Sequence, residues 1–129
     1  MEYNQKSKVV VVLGASSKED RYANIAMASL LKHDHKVIAV GRDAGTKAHG
    51  IIIQDSLKNL IGKEPIDTVT IYLSEKNQQE YEHIILSLKP KRVIFNPGAE
   101  NGSFYTELKN QGIEAINACT LVMLSVGTF

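Results

Sequence analysis

Between Gly14 and Tyr22 the chain reads Gly-Ala-Ser-Ser-Lys-Glu-Asp-Arg-Tyr, placing two hydroxyls and two cations close behind a glycine. Those residue types in that order suit an anion. Ser16 and Ser17 offer hydroxyl donors to phosphate oxygens, Lys18 supplies a point charge, and Arg21 can fork onto a phosphate with two parallel donors. A helix starting near Tyr22 would add its free backbone N–H groups. The plain alternative is a surface turn ahead of a helix. Dinucleotide loops of the form Gly-x-Gly-x-x-Gly cradle a pyrophosphate with three glycines. Here Gly14 is the first, but Ser16 stands at the second position and Glu19 at the third. The residues therefore describe a phosphate cradle of a different shape.

A further cation follows in Val40-Gly41-Arg42-Asp43. A site for NAD calls for an acid at the end of the second strand, to meet the ribose hydroxyls. Arg42 suits a phosphorylated ribose instead, as in NADP or coenzyme A, while Asp43 keeps the NAD reading open. The alternative for Arg42 is a solvated loop charge. Cys119 falls just after the last strand, where a thiol could meet a ligand. Reactivity would require a lowered pKa, and the alternative is a small buried apolar residue. His33 and His35 sit in a helix–strand turn, His49 in a loop and His83 within a helix. None has the spacing of a metal site. Neither Tyr72 nor Tyr105 is expected to have the lysine partner of a reductase Tyr-x-x-x-Lys pair. No catalytic residue and no metal ligand is assigned.

The elements that must position these residues alternate. Residues 9–13 are a β-branched run that suits a strand buried on both faces. A helical pattern starts at Ala23, where Ala23, Met27, Leu30 and Leu31 share one face. Strands are expected at residues 36–40, 51–54, 66–73, 91–95 and 113–118. Residues 41–50 read as a glycine-rich loop and 56–62 as a short helix closed by Gly62. A helix over 77–90 has capping-box spacing at Asn77 and Glu80 and stops at Pro90. Another helix ends at Gly112, and residues 119–129 form a short apolar tail that either packs on the domain or serves as a homodimer patch. The pattern predicts an α/β chain, with one doubly wound, mostly parallel sheet of five or six strands spanning residues 1–129. Ligands in such sheets bind beyond the carboxyl ends of the strands, where strand order reverses. That draws attention to residues 14–22, 41–43, 73–76, 96–101 and 117–120.

Composition narrows the partners. The chain has 129 residues, 43% of them hydrophobic, and a formal net charge of +1. This length builds a core without metal or disulfide staples. The balanced charge argues against nucleic acid or a membrane surface. The single cysteine, the polar amino-terminal residues and the lack of a membrane-length apolar run together suggest a cytoplasmic protein.

The stretches VVVVLGASSKEDRYANIA, KVIAVGR, PIDTVTIYLSEKNQQEY, KRVIFNPGAEN and INACTLVML, in that order, resemble the small stand-alone coenzyme A-binding proteins. These are single Rossmann-like domains related to the coenzyme A-binding domain of the succinyl-CoA synthetase alpha subunit. The resemblance runs from about Lys8 to Met123. It implies a ligand of the coenzyme A or acyl-CoA type, with Gly14, Ala15, Ser16 and Ser17 under the pyrophosphate and Arg21 and Tyr22 following. Val40, Gly41 and Arg42 would lie beside the adenosine and its 3′-phosphate. Leu73 and Ser74 belong to the loop past the central strand, and Asn96, Pro97 and Gly98 would follow the pantetheine arm. Cys119 matches a cysteine that many members carry. The sequence departs from the broader family in having NPGAEN where Q-x-G is more common. No ligase chemistry is implied, because the synthetase's second domain and its phosphorylated histidine are not matched. Other readings are an NADP-dependent oxidoreductase module, or an interaction or regulatory scaffold without ligand.

Overall fold

Four valines and a leucine, Val9–Leu13, form strand β1 at the heart of a computed structural model that describes residues 7–129. Alternate side chains of β1 enter two different cores, which is why the run carries no polar position. Val11 and Leu13 face one core, and Val10 and Val12 the other. Beside it lie β2 (Lys36–Val40) and β5 (Thr68–Ile71), both parallel to it. Further out are β3 (Lys47–Ala48) and β4 (Ile51–Gln54) on one side, and β6 (Arg92–Phe95) and β7 (Glu114–Asn117) on the other. The order across the sheet is β3-β4-β2-β1-β5-β6-β7. The chain thus builds outward from β1 to one edge and returns to β5 on the other side. The reversal falls between β1 and β5, and a crevice opens at their carboxyl ends.

Helices cover both faces, as a doubly wound Rossmann-like sheet requires. Helix α1 (Tyr22–Lys32) and helix α4 (Thr120–Val126) bury Ala23, Met27, Leu30, Met123 and Leu124 against Val10, Val12 and Ala39. Helix α2 (Glu75–Leu88) and helix α3 (Gly102–Asn110) bury Ile85, Phe104 and Leu108 against Val69, Val93 and Phe95. Among the described residues no helix is long and apolar enough to cross a membrane.

Four local features differ from the sequence expectations. The glycine-rich loop contains β3, antiparallel to β4, which makes the sheet seven-stranded where five or six strands were expected. The connection is His49-Gly50, both at positive φ (53° and 81°), the backbone that a two-residue hairpin turn demands. The helix expected near residues 56–62 is a single 3-10 turn, Lys58–Leu60. Helix α2 begins earlier than the Asn77–Glu80 spacing suggests: Ser74 is its N-cap, and Asn77 lies in its first turn. The apolar tail is helical over Thr120–Val126 and folds back, burying Met123, Leu124 and Phe129 while Val122 and Val126 stay exposed.

Candidate functional site

The loop after β1 is shaped by two glycines. Gly14 adopts φ +93°, and its N–H and that of Ala15 both donate to the Val40 carbonyl, at 2.8 and 3.0 Å. A Cβ on Gly14 would stand 3.1 Å from main-chain atoms of Tyr72 and from Leu73 Cδ2. Gly41 matters for another reason. A Cβ there would lie 2.2 Å from the Ala15 carbonyl oxygen, far inside contact distance. Gly41 thus lets the exit of β2 pack directly on the main chain of the first loop, a backbone-on-backbone contact and not the approach to a ligand that the second glycine of a dinucleotide loop permits. Val40 is fully buried and anchors the loop from beneath.

The two serines are used differently. Ser17 donates its N–H and its hydroxyl to the same oxygen, Oδ2 of Asp43, at 2.8 and 2.7 Å. An internal carboxylate thus takes the donors that Ser17 was expected to offer a phosphate. The Ser17 N–H, more than any other influence, holds the Asp43 carboxyl below the usual carboxylate range. Ser16 Oγ accepts from the Lys18 N–H at 3.1 Å and keeps its own proton for another acceptor. Beneath them lies a residue that the sequence reading passed over. Asn24 is buried in the first turn of α1, donating to the Ser16 carbonyl at 2.9 Å and pairing through Oδ1 with His49 Nε2 at 2.8 Å. Lys18, Arg21 and Arg42 are exposed. Lys18, Arg21, Arg42 and Asp43 line one cavity with Gly14, Ser16, Ser74 and Asn77.

The opposite wall is set by a buried amide network. Gln78, fully buried on α2, donates to the carbonyls of Leu73 and Ala99 at 2.9 and 2.6 Å. Asn101 donates to Gln78 Oε1 at 3.0 Å and to Glu82 Oε2 at 2.9 Å, while its Oδ1 caps α3 through the Phe104 N–H. The loops after β5 and β6 are thereby tied to each other. Leu73, Ser74, Pro97 and Gly98 then face Gly14, Ser16, Arg21 and Tyr22 around a cavity of about 250 Å³. Asn96, expected along the arm of the ligand, has its hydrogen-bonding groups engaged within the protein. It donates to Thr70 Oγ1 and the Ile71 carbonyl at 2.7 and 2.9 Å, and it accepts the Thr120 N–H at the start of α4. Its partners lie 24 to 26 residues away in sequence, so no local pattern announces it.

Beyond Tyr72 the cleft continues into an apolar chamber of about 260 Å³ lined by Tyr22, Tyr72, Asn96, Pro97, Cys119 and Leu121. Cys119 is a free, half-buried cysteine. The Tyr72 hydroxyl is buried without a geometrically sound hydrogen bond, its neighbours being the Thr70 and Thr120 hydroxyls, which bond each other at 2.7 Å. Burial is the main reason its pKa is pushed up to about 12. The cavities share walls. Gly14, Ser16, Arg21 and Tyr72 belong to the first two, and Tyr22, Tyr72 and Pro97 carry the lining onward into the chamber. From Arg42 behind β2 to Cys119 behind β7 the cleft crosses four strand spacings, about 19 Å at ~4.8 Å each.

Other candidates lie elsewhere. His35 is buried at the amino end of β2, accepting the Lys8 N–H at 3.1 Å, and His33 bonds the Ser29 carbonyl. His83 is exposed on α2. Tyr72 and Lys76 stand four residues apart, which corrects the expectation that no tyrosine has a lysine at reductase-type spacing, but the Tyr72 hydroxyl is buried and Lys76 is exposed on α2. Tyr105 and Lys109 have the same spacing. They lie on α3, where the Lys109 ammonium sits 5.1 Å over the Tyr105 ring and the ring packs on Phe95. Neither lines the cleft described above.

A family model described as a CoA binding domain matches residues 8–125. No curated protein matches the chain. Among solved structures, the chain is similar to the crystal structure of an uncharacterized protein at 42% identity, covering 97% of this chain and 100% of that one with a TM-score of 0.87. It is similar to cell-free ID.343 from Thermus thermophilus at 26% identity, covering 95% and 91%, with a TM-score of 0.84. A hypothetical protein from Pyrococcus horikoshii OT3 shares the fold at 24% identity, covering 94% and 84%, with a TM-score of 0.82.

Proposed function

The chain belongs to the CoA binding domain family, and on that premise we propose that its cleft binds coenzyme A or an acyl-CoA, without a reaction of its own. The observation that carries this reading is the grading of one cleft from cationic to apolar. Arg42 stands at one end and the phosphate-type loop with the α1 N-terminus in the middle, with the apolar chamber at the other end. Coenzyme A is graded in the same way, from a phosphorylated ribose through a pyrophosphate to an uncharged arm. In this assignment Arg42 meets the ribose phosphate. Gly14, Ala15, Ser16 and Arg21 hold the pyrophosphate, with the free N–H groups of the first turn of α1. Ser17 acts through Asp43, fixing the loop. Leu73, Ser74, Pro97 and Gly98 form the wall along the arm, and Tyr22 and Cys119 line its far end. A nicotinamide in the same place would need partners for its carboxamide, and the one amide in the chamber wall, that of Asn96, is already engaged. Cys119 suits a reducing compartment, and we place the protein in the cytoplasm.

A thermal-shift titration with coenzyme A, acetyl-CoA, NADP, NAD and ADP tests the reading. Ligand at a hundred times its Kd should stabilise by about 2.7 kcal/mol. The expected result is a shift with the CoA species that weakens about tenfold in affinity in Arg42→Ala, the equivalent of ~1.4 kcal/mol. A shift with NADP alone would transfer the site to a nicotinamide cofactor, and no shift with any ligand would leave a scaffold.

A further inference from the structure

The chamber behind Tyr72 says which form of the ligand the site is built for. We infer that the protein's preferred ligand is a short-chain acyl-CoA, and that the chamber holds the acyl group. This rests on the coenzyme A reading above and names the ligand class within it.

The chamber is bounded by two aromatic rings, a proline, a leucine and a cysteine, and none of its lining residues is charged. Apart from the Tyr72 hydroxyl, which is buried without a partner and could meet one carbonyl oxygen, the polar groups in or beside its wall are turned to internal use. The Asn96 amide bonds Thr70, Ile71 and Thr120, and the Thr70 and Thr120 hydroxyls bond each other. An incoming polar group would find little to pair with and would lose its hydration. An alkyl chain loses nothing of that kind. Free coenzyme A would bring only a thiol to this end, leaving much of the apolar wall wet.

Size sets the range. At about 30 Å³ per water-sized group, 260 Å³ is room for eight or nine such groups. The last carbons and sulfur of the carrier arm occupy some of it, which leaves space for an acyl chain of roughly four to six carbons. Chain direction follows from the order of the strands. The arm reaches the chamber only after passing the loops behind β1, β5 and β6, so the acyl end lies against Leu121 and Cys119 near the start of α4.

Calorimetric titration of the full chain with coenzyme A and its acetyl, butyryl, hexanoyl and octanoyl thioesters tests the inference. Each methylene that enters the chamber should tighten binding by up to about fourfold. Affinity should therefore rise from acetyl to hexanoyl and level off at octanoyl. Equal affinity for free coenzyme A and every thioester would overturn the acyl chamber while leaving coenzyme A binding intact. No binding of any of them would overturn the coenzyme A reading itself. Leu121→Trp fills the chamber and should abolish the gain with chain length, read as the ratio of each thioester's affinity to that of free coenzyme A for the same variant. Leu121→Phe, a smaller intrusion, should cap the gain at butyryl and serves if the tryptophan variant does not melt cooperatively. A full chain-length gain in a folded variant would place the alkyl chain elsewhere and overturn the inference.

Discussion

At the carboxyl rim of the sheet Lys18, Arg21 and Arg42 stand exposed around a cleft, whereas at the amino rim Lys8 and Arg92 are folded onto Phe129. Lys8 Nζ and Arg92 Nη1 both donate to the Phe129 carbonyl, at 2.6 and 2.9 Å. The guanidinium lies 4.4 Å over the Phe129 ring, and the His35 ring is tilted against it at 5.1 Å. Burial is the first cause of the lowered pKa of Lys8, Arg92 and His35 alike. The same residue types therefore do opposite work. At the amino rim they bond to and stack on the protein itself, and they hold Phe129 to the sheet. At the carboxyl rim the backbone and buried amides fix the loops, leaving the cations free to meet an anion.

The sharpest way to break the contrast is Gly41→Val. A side chain there must displace the Ala15 carbonyl, a backbone atom, so the cost should reach about 3 kcal/mol, the upper end for overpacking. Ligand binding should go with it, because the cradle moves. Chemical denaturation and titration on the same sample measure both losses. Arg92→Ala should separate the rims in the other direction. It removes two hydrogen bonds from a charged group, to Thr68 Oγ1 and the Phe129 carbonyl, and a cation–π contact, partly offset by relieving the buried, unpaired Nη2, for a net loss of about 2 kcal/mol. The Kd of the surviving folded protein for coenzyme A should be unchanged; a weakened Kd would mean that the rims are coupled.

Asp43→Asn probes the carboxylate behind β2 that anchors the first loop through Ser17. The amide oxygen can still accept from Ser17, so stability should fall by only about 0.5–1 kcal/mol. Removing a negative charge from the lining of the cavity proposed to take the phosphates should tighten binding about threefold at low salt. The gain should fade as ionic strength rises, which titration at two salt concentrations would reveal.

The smallest effect concerns His35. The folded chain disfavours its protonated form, because burial lowers its pKa and Nδ1 accepts the Lys8 N–H. The unfolded chain takes up a proton once pH falls below about 6.5. The contribution of His35 to stability is thus complete above that pH and declines as pH drops toward its lower folded value. His35→Asn, which keeps an acceptor for Lys8, should flatten the melting temperature between about pH 7 and pH 5 relative to the parent.

What could be read in the sequence follows the same division. The parallel strands were legible because β1 and β2 are β-branched runs with no polar interruption, and only a sheet covered on both faces accommodates those. The turn from β1 into α1 was legible from Gly14, whereas the engagement of Ser17 by Asp43 was not. The supports of the cleft were not. Asn24, Gln78 and Asn101 look in sequence like ordinary surface amides, Asn96 was expected beside the ligand and not as a support, and several of their partners lie about 20 or more residues away. Gly41 reads as a loop glycine until the Ala15 carbonyl is seen against it. Helix α4 was hidden for a related reason. Its N-terminal residues are stabilised by Asn96 from another strand exit rather than by a cap of their own.

The rings of Tyr22 and Tyr72 have a practical bearing beyond lining the chamber. The chain has no tryptophan and five tyrosines, so its ultraviolet emission comes from tyrosine alone. With two of those five at the mouth of one cavity, the protein carries an intrinsic optical reporter of whether that cavity is filled. Occupancy can be followed by tyrosine emission and by its protection from a soluble quencher, without a label and without altering a residue.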